Sequence, residues 1–513
     1  MNNSKQKEFF ILLLCLLIGF ALRFYTFDQK SLWMDEIYTF NDSRDDFKGQ
    51  LRFYGENPTF LHPPLFFILT HLFYPFAKPE RDLRIIPLIF GTLSIPMIYF
   101  LSRLFSPPIA LPCTLSLTFM AYHISLSQDG RSYSLLMFFG MMGLYFFMKY
   151  LKTQKKIYLI SVAFVFAILF HTSYSSIPFI ALSQILWFFH IGEENNKSVL
   201  YSILALNGLI VLFCIPWITF LASNYKGQPV ADLRDLQTPS SFWSILHGIF
   251  HDWIPNAPLM ITSIIALFFY PFFSKNRKKA FLLLSVLFLP IGGIYSYCQL
   301  LNITHFVTSR YLINFLPLFF ITIFMSLDNI EAKLEILKKF VRLKFLFVIL
   351  MVVSNLLILP LYYRSEKQDF RGLVTYLKGQ LREGDYIILS TAAHFPGLLH
   401  YFGVYPAGRH YIIPYRRISE NEIEHRTSLM NEKRKFIISC SKTYWLQYAM
   451  EGNRLWIVAN KITAKKEMGN AILKGYFDAS FFNFNKFPTD DSMYLFLWDP
   501  KSPDEKGINM PIE

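Results

Sequence analysis

The sequence predicts a multi-pass α-helical membrane protein with about eleven transmembrane helices and a C-terminal α/β domain outside the membrane. Of its 513 residues, 53% are hydrophobic and 17% are charged, whereas soluble chains carry about 25% charged residues. Apolar runs of about 20 residues, long enough for a helix to cross a bilayer, recur up to residue 362. Beyond it, short apolar segments alternate with polar ones. We therefore expect a transmembrane domain over 1–363 and a soluble α/β domain over 364–513.

The predicted spans follow from the apolar runs, which lie near residues 9–27, 83–102, 108–127, 133–150, 157–172, 175–191, 199–221, 257–273, 280–300, 310–327 and 345–362. The first run lacks a small-residue cleavage site and is too long for the apolar part of a signal peptide, so we expect a retained span. The run at 62–76 is shorter and opens with two prolines.

Basic residues set the predicted orientation. They cluster in short loops at 149–156, 274–279 and 328–344, and cytoplasmic loops carry an excess of Lys and Arg. This pattern accounts for the net charge of +14 without a nucleic-acid partner. The loops and the N-terminus share the cytoplasmic side only if 62–76 does not cross. We therefore expect that run to be an interfacial or re-entrant helix, with the C-terminus outside.

With this orientation, most ionisable residues of the transmembrane domain fall on the non-cytoplasmic face, which predicts a one-sided active site. These residues are Asp35, Glu36, His62, Arg84, Arg131, His171, His251, Asp252, His305 and Arg310.

The C-terminal part alternates helix-like and strand-like segments, which is typical of a small α/β domain. Helices are expected at 369–381 and 394–402 and near 444–450. Strands are expected at 386–390, 435–440, 455–459 and 493–498. Four of the five cysteines lie inside apolar runs, so the sequence predicts no disulfide framework.

Two adjacent carboxylates, Asp35 and Glu36, follow Trp33 just beyond the first span. They could form a surface pair at the membrane edge. Alternatively, Asp35 could accept the proton of an acceptor hydroxyl as a general base, with Glu36 orienting a substrate or a metal. A low-dielectric membrane edge raises the pKa of a carboxylate, which suits a base near neutral pH.

Several cationic residues could bind a phosphate. Arg131, in the tight outer loop 127–132, has a guanidinium that matches phosphate oxygens with paired hydrogen bonds; a phospholipid headgroup is the alternative ligand. Arg310 and Arg84 lie at the outer ends of other spans and could instead be interfacial anchors. His62 stands before a proline pair that fixes a helix entrance. His171, near Tyr174, and His251, beside Asp252, are weaker candidates.

In this order, the motifs resemble those of the GT-C glycosyltransferases, in particular the protein O-mannosyltransferase and aminoarabinose-transferase branch. The resemblance covers about the first 320 residues. The matching residues are Trp33, Asp35, Glu36, His62, Pro63, Pro64, Leu65, Arg84, Gln128, Arg131, Tyr133, Leu135, His171, Tyr174, Arg310 and Tyr311.

The resemblance implies a polyprenyl-phosphate-linked monosaccharide donor and an inverting single displacement. It implies that Asp35 is the base and that Glu36 and His62 shape the acceptor or metal site. Arg131 would hold the donor phosphate, with Arg310, Arg84 and Tyr133 as further contacts. His171 and His251 are tentative acceptor or metal residues. Near the position of His62, the aminoarabinose branch has a Lys after a Glu, so details of donor and acceptor do not transfer.

Other readings stay open at this point. A polysaccharide polymerase or ligase would share the carrier and the compartment. A secondary transporter would need ionisable residues or broken helices near the bilayer midplane, where the predicted spans are almost free of charge. The sugar, the acceptor (a lipid, a glycan or a protein) and the use of a divalent cation stay open too. In a bacterium, the expected location is the inner membrane, with the active site and the C-terminal domain in the periplasm.

Overall fold

A computed structural model shows a helical domain followed by an α/β domain. It describes residues 3–56, 62–189, 196–224, 241–300, 308–333, 342–391, 394–403, 429–431, 436–440, 451–466, 470–479, 481–482, 491–501 and 506–510. The α-helices of the first domain are α1 (Asn3–Phe24), α2 (Met34–Ser43), α3 (Phe47–Glu56), α4 (Leu65–Thr70), α5 (Pro79–Asp82), α6 (Ile85–Phe105), α7 (Ala110–Phe119), α8 (Ala121–Ser127), α9 (Tyr133–Thr153), α10 (Lys156–Thr172), α11 (Ile177–Ser183), α12 (Asn196–Asn224), α13 (Phe242–Trp253), α14 (Ala257–Phe273), α15 (Arg277–Leu300), α16 (Leu316–Lys333) and α17 (Leu343–Arg364).

Within the described residues, six helices are long and apolar enough to cross a membrane, or up to eight if each of two bent pairs is one span. The bent pairs are α7 with α8, at 61°, and α13 with α14, at 111°. The multi-pass fold is confirmed, whereas the count of eleven is not. The predicted run 157–172 coincides with α10, which at 17 residues is shorter than these six helices. The run 175–191 is divided into α11 and a 3₁₀ segment at Gln184–Phe189, because composition records apolarity but not where a helix changes its geometry.

The run at 62–76 contains only a short helix. α4 has six residues, about 9 Å at 1.5 Å per residue, and a 3₁₀ turn follows at His71–Phe73. The hydrocarbon core of a bilayer is about 30 Å thick. This length fits the prediction that the run does not cross the membrane.

The core of the helical domain forms where α9 packs against α6 and α10. Leu144, Phe147 and Phe166 are fully buried there. A Cβ at Gly143 would lie 2.7 Å from the ring of Phe166, so the glycine lets α9 and α10 approach closely. Away from this core, α1 and α12 expose mainly apolar side chains, as expected of surfaces that contact lipid.

The C-terminal domain contains a six-stranded mixed sheet, which confirms the predicted α/β fold. The strand order is β2-β3-β1-β4-β6-β5, and β1 is parallel to both β3 and β4. The remaining neighbours pair antiparallel. Its elements are α18 (Phe370–Gln380), β1 (Tyr386–Leu389), α19 (Phe395–Phe402), β2 (Leu429–Asn431), β3 (Phe436–Cys440), β4 (Leu455–Ala459), α20 (Lys461–Lys466), β5 (Ile472–Phe477) and β6 (Met493–Trp498). The helix expected near 444–450 lies outside the described residues.

The two domains share one hydrophobic cluster. Leu32, Met34 and Ile37, from the segment after α1, are buried in it together with Phe370 of α18 and Leu398 of α19. Burial of apolar surface is the main favourable term in such packing. The segment that carries the predicted general base is therefore held between the helical domain and the α/β domain.

The carboxyl ends of the parallel strands lie on the side of the helical domain. β1 leads into α19, whose first residue, Phe395, is buried in the shared cluster with Phe370. After β5, the carbonyl of Asp478 accepts a hydrogen bond of 3.1 Å from the backbone N–H of Asp369. In open α/β sheets, ligands bind beyond the carboxyl ends of the strands. Here this edge faces the predicted catalytic segment.

Candidate active site

A buried ion pair between Glu36 and Arg84 forms the frame of the site. The Glu36 carboxylate accepts hydrogen bonds from Arg84 Nε at 2.7 Å and Nη2 at 2.6 Å, and both side chains are fully buried. Arg84 also donates to the carbonyls of Phe27, Lys30 and Ser31. The pair thus joins the start of α6 to the segment that leads into α2.

Glu36 also holds the loop that contains Arg131. The backbone N–H of Gly130 donates to Glu36 Oε1 at 2.6 Å. A Cβ at position 130 would lie 3.2 Å from that same oxygen, which explains the glycine at this close approach. Burial raises the pKa of Glu36, but the charges of Arg84 and Lys367 and these hydrogen bonds outweigh burial. The pKa therefore lies below its ordinary value, and the carboxylate stays ionised.

This geometry does not fit the direct roles predicted for Arg84 and Glu36. The guanidinium of Arg84 is hydrogen-bonded to one carboxylate and three backbone carbonyls, and its side chain is fully buried. A group enclosed in this way holds the backbone rather than a donor phosphate. Glu36 is likewise enclosed. The geometry therefore favours a positioning role for both residues over the direct roles expected from the sequence.

Asp35 has the opposite environment. Successive helical residues point about 100° apart, so Asp35 turns away from the buried pair, and 18% of its side chain is exposed. Its Oδ2 lies 3.9 Å from Arg131 Nε. Arg131 Nη1 donates to Thr39 Oγ1 at 3.1 Å and lies 3.4 Å from the Asp35 carbonyl oxygen. Burial by itself lowers the pKa of Arg131, but the negative charge of the Asp35 carboxylate has the larger, opposite effect. The pKa of Arg131 therefore lies above its ordinary value.

His62 lies in the electrostatic field of the same two residues. Burial lowers its pKa to about 4; Arg131 lowers it as well, and Asp35 opposes the shift. The imidazole is therefore neutral at pH 7, with one nitrogen as donor and the other as acceptor. Its ring stacks on Phe67 of α4 at 5.9 Å, so the short helix after the proline pair fixes its position.

Tyr133 and Arg310 complete the cluster. The Tyr133 ring packs edge-on against Tyr311 at 6.4 Å, and both tyrosines lie within electrostatic reach of Arg131. The Arg310 guanidinium lies 5.1 Å from the Trp33 ring and 5.6 Å from the Tyr311 ring, distances typical of cation–π contacts. The structure thus brings together five predicted residues, which are Asp35, His62, Arg131, Tyr133 and Arg310.

The other two predicted histidines have different neighbours. His171, at the end of α10, is 3.3 Å from the carbonyl oxygen of Phe213. His251 is exposed on α13, and its Nδ1 lies 3.6 Å from Asp252 Oδ1. His305 lies outside the described residues.

The residues that the structure describes contain no group of three or more His, Cys, Asp or Glu side chains arranged to hold a metal ion.

Two charged residues near the site were missed by sequence analysis. Asp129 accepts a hydrogen bond of 2.9 Å from Trp33 Nε1. Lys367 Nζ lies 3.6 Å from Asp129 Oδ1 and 3.9 Å from Glu36 Oε1, and it donates to the carbonyl of Gln128 at 3.1 Å. Burial raises the pKa of Asp129, while Lys367 opposes this shift. Asp129 could have been found from its place beside Arg131. Nothing in the sequence marks Lys367, which follows the last span in an ordinary charged stretch.

A small cavity of about 30 Å³ lies beside Trp33. The helical domain and the α/β domain both supply its walls. The described lining residues are Trp33, Tyr122, Ser125, Leu126, Asp129, Ser309, Arg310, Tyr362, Lys367, Phe481 and Phe482.

Comparisons with known proteins agree with this architecture. Residues 61–220 match the family of dolichyl-phosphate-mannose-protein mannosyltransferases. ArnT from Cupriavidus metallidurans in the apo state is similar in structure, with a TM-score of 0.52 and 10% identity over 96% of this chain and 98% of ArnT. The chain has the GT-C glycosyltransferase fold. No curated protein matches it in sequence.

Two further structures share the GT-C fold with this chain. ArnT bound to undecaprenyl phosphate has a TM-score of 0.52 and 11% identity, over 94% of this chain and 97% of ArnT. An Archaeoglobus fulgidus oligosaccharyltransferase tethered to an acceptor peptide has a TM-score of 0.50 and 12% identity, over 90% of this chain and 70% of that one. The predicted resemblance to the mannosyltransferase and ArnT branch is therefore confirmed. The likeness to ArnT covers almost the whole chain, so it also includes the α/β domain.

Proposed function

We propose that this protein transfers a monosaccharide from a polyprenyl-phosphate donor to an acceptor hydroxyl on the non-cytoplasmic face of the membrane. The observation that carries the proposal is the pairing of Asp35, a partly exposed carboxylate, with Arg131, a guanidinium, on a frame fixed by the buried Glu36–Arg84 pair. The mannosyltransferase family match and the likeness to an ArnT structure with bound undecaprenyl phosphate support this donor class.

In the proposed reaction, the acceptor hydroxyl attacks the anomeric carbon of the donor sugar. Asp35 takes the hydroxyl proton as the new C–O bond forms. The bond between the anomeric carbon and the phosphate oxygen breaks, and its electron pair leaves with the polyprenyl phosphate. A single displacement of this kind inverts the anomeric configuration. A phosphate is a stable leaving group, so positive charge near it suffices and a general acid is unnecessary.

The remaining residues have roles that follow from their positions. Arg131 holds the leaving phosphate, with Tyr133 and Arg310 beside it. His62 is neutral at pH 7, so it orients the acceptor hydroxyl by a hydrogen bond without adding charge. The Glu36–Arg84 pair fixes the position of α2 relative to the Gly130 backbone. His171 and His251 have no part in this proposal.

The proposal also assigns each domain to a side of the membrane. The helical domain, over 1–363, would carry the chemistry, and the α/β domain, over 364–513, would lie on the non-cytoplasmic side. In a bacterium, this arrangement corresponds to the inner membrane and the periplasm. The acceptor would be a lipid, a glycan or a protein that reaches the site from that side.

The test is Asp35→Asn in purified protein in nanodiscs, with a synthetic polyprenyl-phosphate monosaccharide as donor and released polyprenyl phosphate as the readout. Loss of the base is expected to lower the rate by about 10²–10⁴-fold, while expression and thermal stability persist. Asp28→Asn is the matched control, since Asp28 is an exposed carboxylate of the same outer segment. Turnover of Asp35→Asn within a few-fold of wild type would remove Asp35 as the base.

A further inference from the structure

The end of α1 holds the short helix α8 at both of its ends. In the first turn of α8, His123 Nδ1 accepts a hydrogen bond of 2.8 Å from Nη2 of Arg23, whose side chain is fully buried. Directly after α8, Gln128 Nε2 donates to the backbone carbonyls of Arg23 at 2.9 Å and Tyr25 at 2.6 Å. Arg23 therefore contacts the start of α8 through its side chain and the residue after α8 through its backbone.

Arg23 also stabilises the bend between α7 and α8. Its guanidinium donates to the carbonyls of Leu117 at 3.0 Å and Thr118 at 3.1 Å, in the last turn of α7. The last carbonyls of a helix lack their usual backbone partners, and the helix dipole favours a cation near them. The same guanidinium donates to the carbonyl of Gly19, one turn earlier in α1. The 61° bend, and with it the direction of α8, is therefore tied to α1.

The helices α1 and α8 lead directly into the two segments of the reaction centre. Beyond α1, residues 25–33 connect to Asp35 in α2, and Gln128 begins the loop that carries Arg131. Asp35 and Arg131 are 96 residues apart in the chain. Both segments nevertheless start from the same place, where Arg23 and Gln128 join α1 to α8. These contacts therefore set where the guanidinium of Arg131 lies relative to the carboxylate.

The Gln128 amide has partners on both of its polar atoms. Its Oε1 accepts a hydrogen bond of 2.9 Å from Tyr362 Oη of α17, and the residue is 1% exposed. Burying an amide or a guanidinium is costly unless it is hydrogen-bonded, and an apolar side chain of similar size would fill the space without that cost. The polar groups add a fixed distance and direction. A reaction that aligns a base with a leaving phosphate depends on such geometry, because a displacement of about 1 Å can lower the rate by about 10²-fold.

We propose that Arg23 and Gln128 are positioning residues of the reaction centre, which hold Arg131 in place relative to Asp35. This inference rests on the proposed function and deepens it. Both side chains are enclosed and hydrogen-bonded to protein groups. They therefore act through Arg131 and do not contact the substrate themselves.

The kinetic test uses Gln128→Met, which keeps a similar volume and removes the amide. In nanodiscs with the synthetic donor, kcat is expected to fall by about 10–100-fold, with a smaller change in the donor KM, because misalignment raises the barrier more than it weakens binding. The double variant Gln128→Met with Arg131→Ala should lose little beyond Arg131→Ala alone, since the residues act as one unit. A merely structural role for Gln128 would make the two losses multiply.

A second measurement needs no turnover. Hydrogen–deuterium exchange of the full-length protein in nanodiscs follows the backbone amides of 129–131, where the N–H of Gly130 donates to Glu36. In Gln128→Met these amides are expected to exchange about tenfold faster or more, because local opening becomes easier. Arg23→Lys keeps the charge at the end of α7 but loses the fork geometry of the guanidinium, so it should show the same effect to a smaller extent.

Gln184→Met is the matched control. Gln184 pairs its amide with Asn207 at 2.9 Å, between the segment after α11 and α12, and its loss should leave kcat and the exchange of 129–131 unchanged. Melting temperatures confirm that each variant is folded.

The two measurements separate this inference from the proposed function. If wild type does not turn over the donor, the proposed function fails, and the exchange data alone decide whether the loop is positioned in this way. The inference is overturned if 129–131 exchange as in wild type in folded Gln128→Met and Arg23→Lys. It is also overturned if wild type turns over the donor and Gln128→Met matches its kcat, or if the losses multiply in the double variant.

Discussion

At the scale of single residues, the site depends on the different directions of two neighbouring carboxylates. Asp35 and Glu36 are adjacent on α2, and the rotation of about 100° per helical residue turns one towards Arg131 and the other into the protein. The sequence identified both as candidates but could not divide their roles. The division depends on Arg84, which is 48 residues away in the chain.

The first prediction at this scale concerns Arg131. If it holds the leaving phosphate, Arg131→Ala should lower kcat/KM for the donor by about 10–150-fold, since a charge-assisted hydrogen bond contributes about 1.5–3 kcal/mol. Arg131→Lys keeps the charge but loses the paired geometry, so it should retain part of the activity. Donor turnover in nanodiscs is the measurement. Arg103→Ala, at an exposed position at the other end of α6, is the control.

An Arg131 that only anchors a lipid headgroup would behave differently. The Ala variant would then express or insert poorly, and the purified protein would keep its kinetics. Unchanged donor kinetics in Arg131→Ala would remove this residue from the site.

The second prediction concerns the buried pair. Glu36→Gln leaves the Arg84 guanidinium buried without its carboxylate, and breaking a buried ion pair in this way costs about 3–5 kcal/mol. A clear fall in melting temperature is therefore expected. The double variant Glu36→Gln with Arg84→Met should recover part of that loss, because no uncompensated charge remains. Thermal melting of the detergent-purified proteins checks both.

A direct catalytic role for Glu36 would produce another result. Glu36→Gln would then melt like wild type and fail only in turnover. That outcome would restore the role that the sequence predicted for this carboxylate.

At the scale of elements, long continuous helices were predictable, whereas the break between α7 and α8 was not. The runs at 83–102, 133–150 and 345–362 correspond to α6, α9 and α17, because a long apolar run has few alternatives to a buried or lipid-exposed helix. The break between α7 and α8 has no local signal. There the backbone N–H of Ala121 donates to Asn355 Oδ1 at 2.8 Å. A partner 234 residues away makes the bend possible.

These breaks matter for the site. The bend before α8 precedes Tyr122, and the bend between α13 and α14 follows Asp252 by a few residues. Both side chains join the hydrogen-bonded chain through Ser309, the neighbour of Arg310. A sequence pattern that treats 108–127 as one straight span therefore misses the bend that precedes Tyr122, although the sequence does single out Arg310 itself.

At the scale of the whole molecule, the α/β domain takes part in the site. Its presence could be predicted from the change of pattern after residue 364, but its docking could not. The two domains are joined here by individual hydrogen bonds between residues that are far apart in the sequence. The backbone N–H of Met34 donates to Gln368 Oε1 at 2.9 Å, and the backbone N–H of Leu32 donates to Tyr401 Oη at 2.7 Å. These bonds and the shared apolar cluster hold the segment before Asp35. Such pairings depend on the tertiary fold and produce no periodic pattern in the sequence.

The last prediction tests the orientation on which the one-sided site depends. In a background without the five natural cysteines, single cysteines at positions 152 and 277 should resist an impermeant thiol reagent in intact cells or spheroplasts, and one at position 474 should react. The reason is the excess of Lys and Arg in the loops around 152 and 277. All three should react after permeabilisation, which is the internal control. If positions 152 and 277 react in intact cells and position 474 reacts only after permeabilisation, the orientation is the reverse of the one expected from the basic loops. The α/β domain and the Asp35 site, which contact each other directly, would then both lie on the cytoplasmic side, and a donor delivered to the opposite face could not reach Arg131.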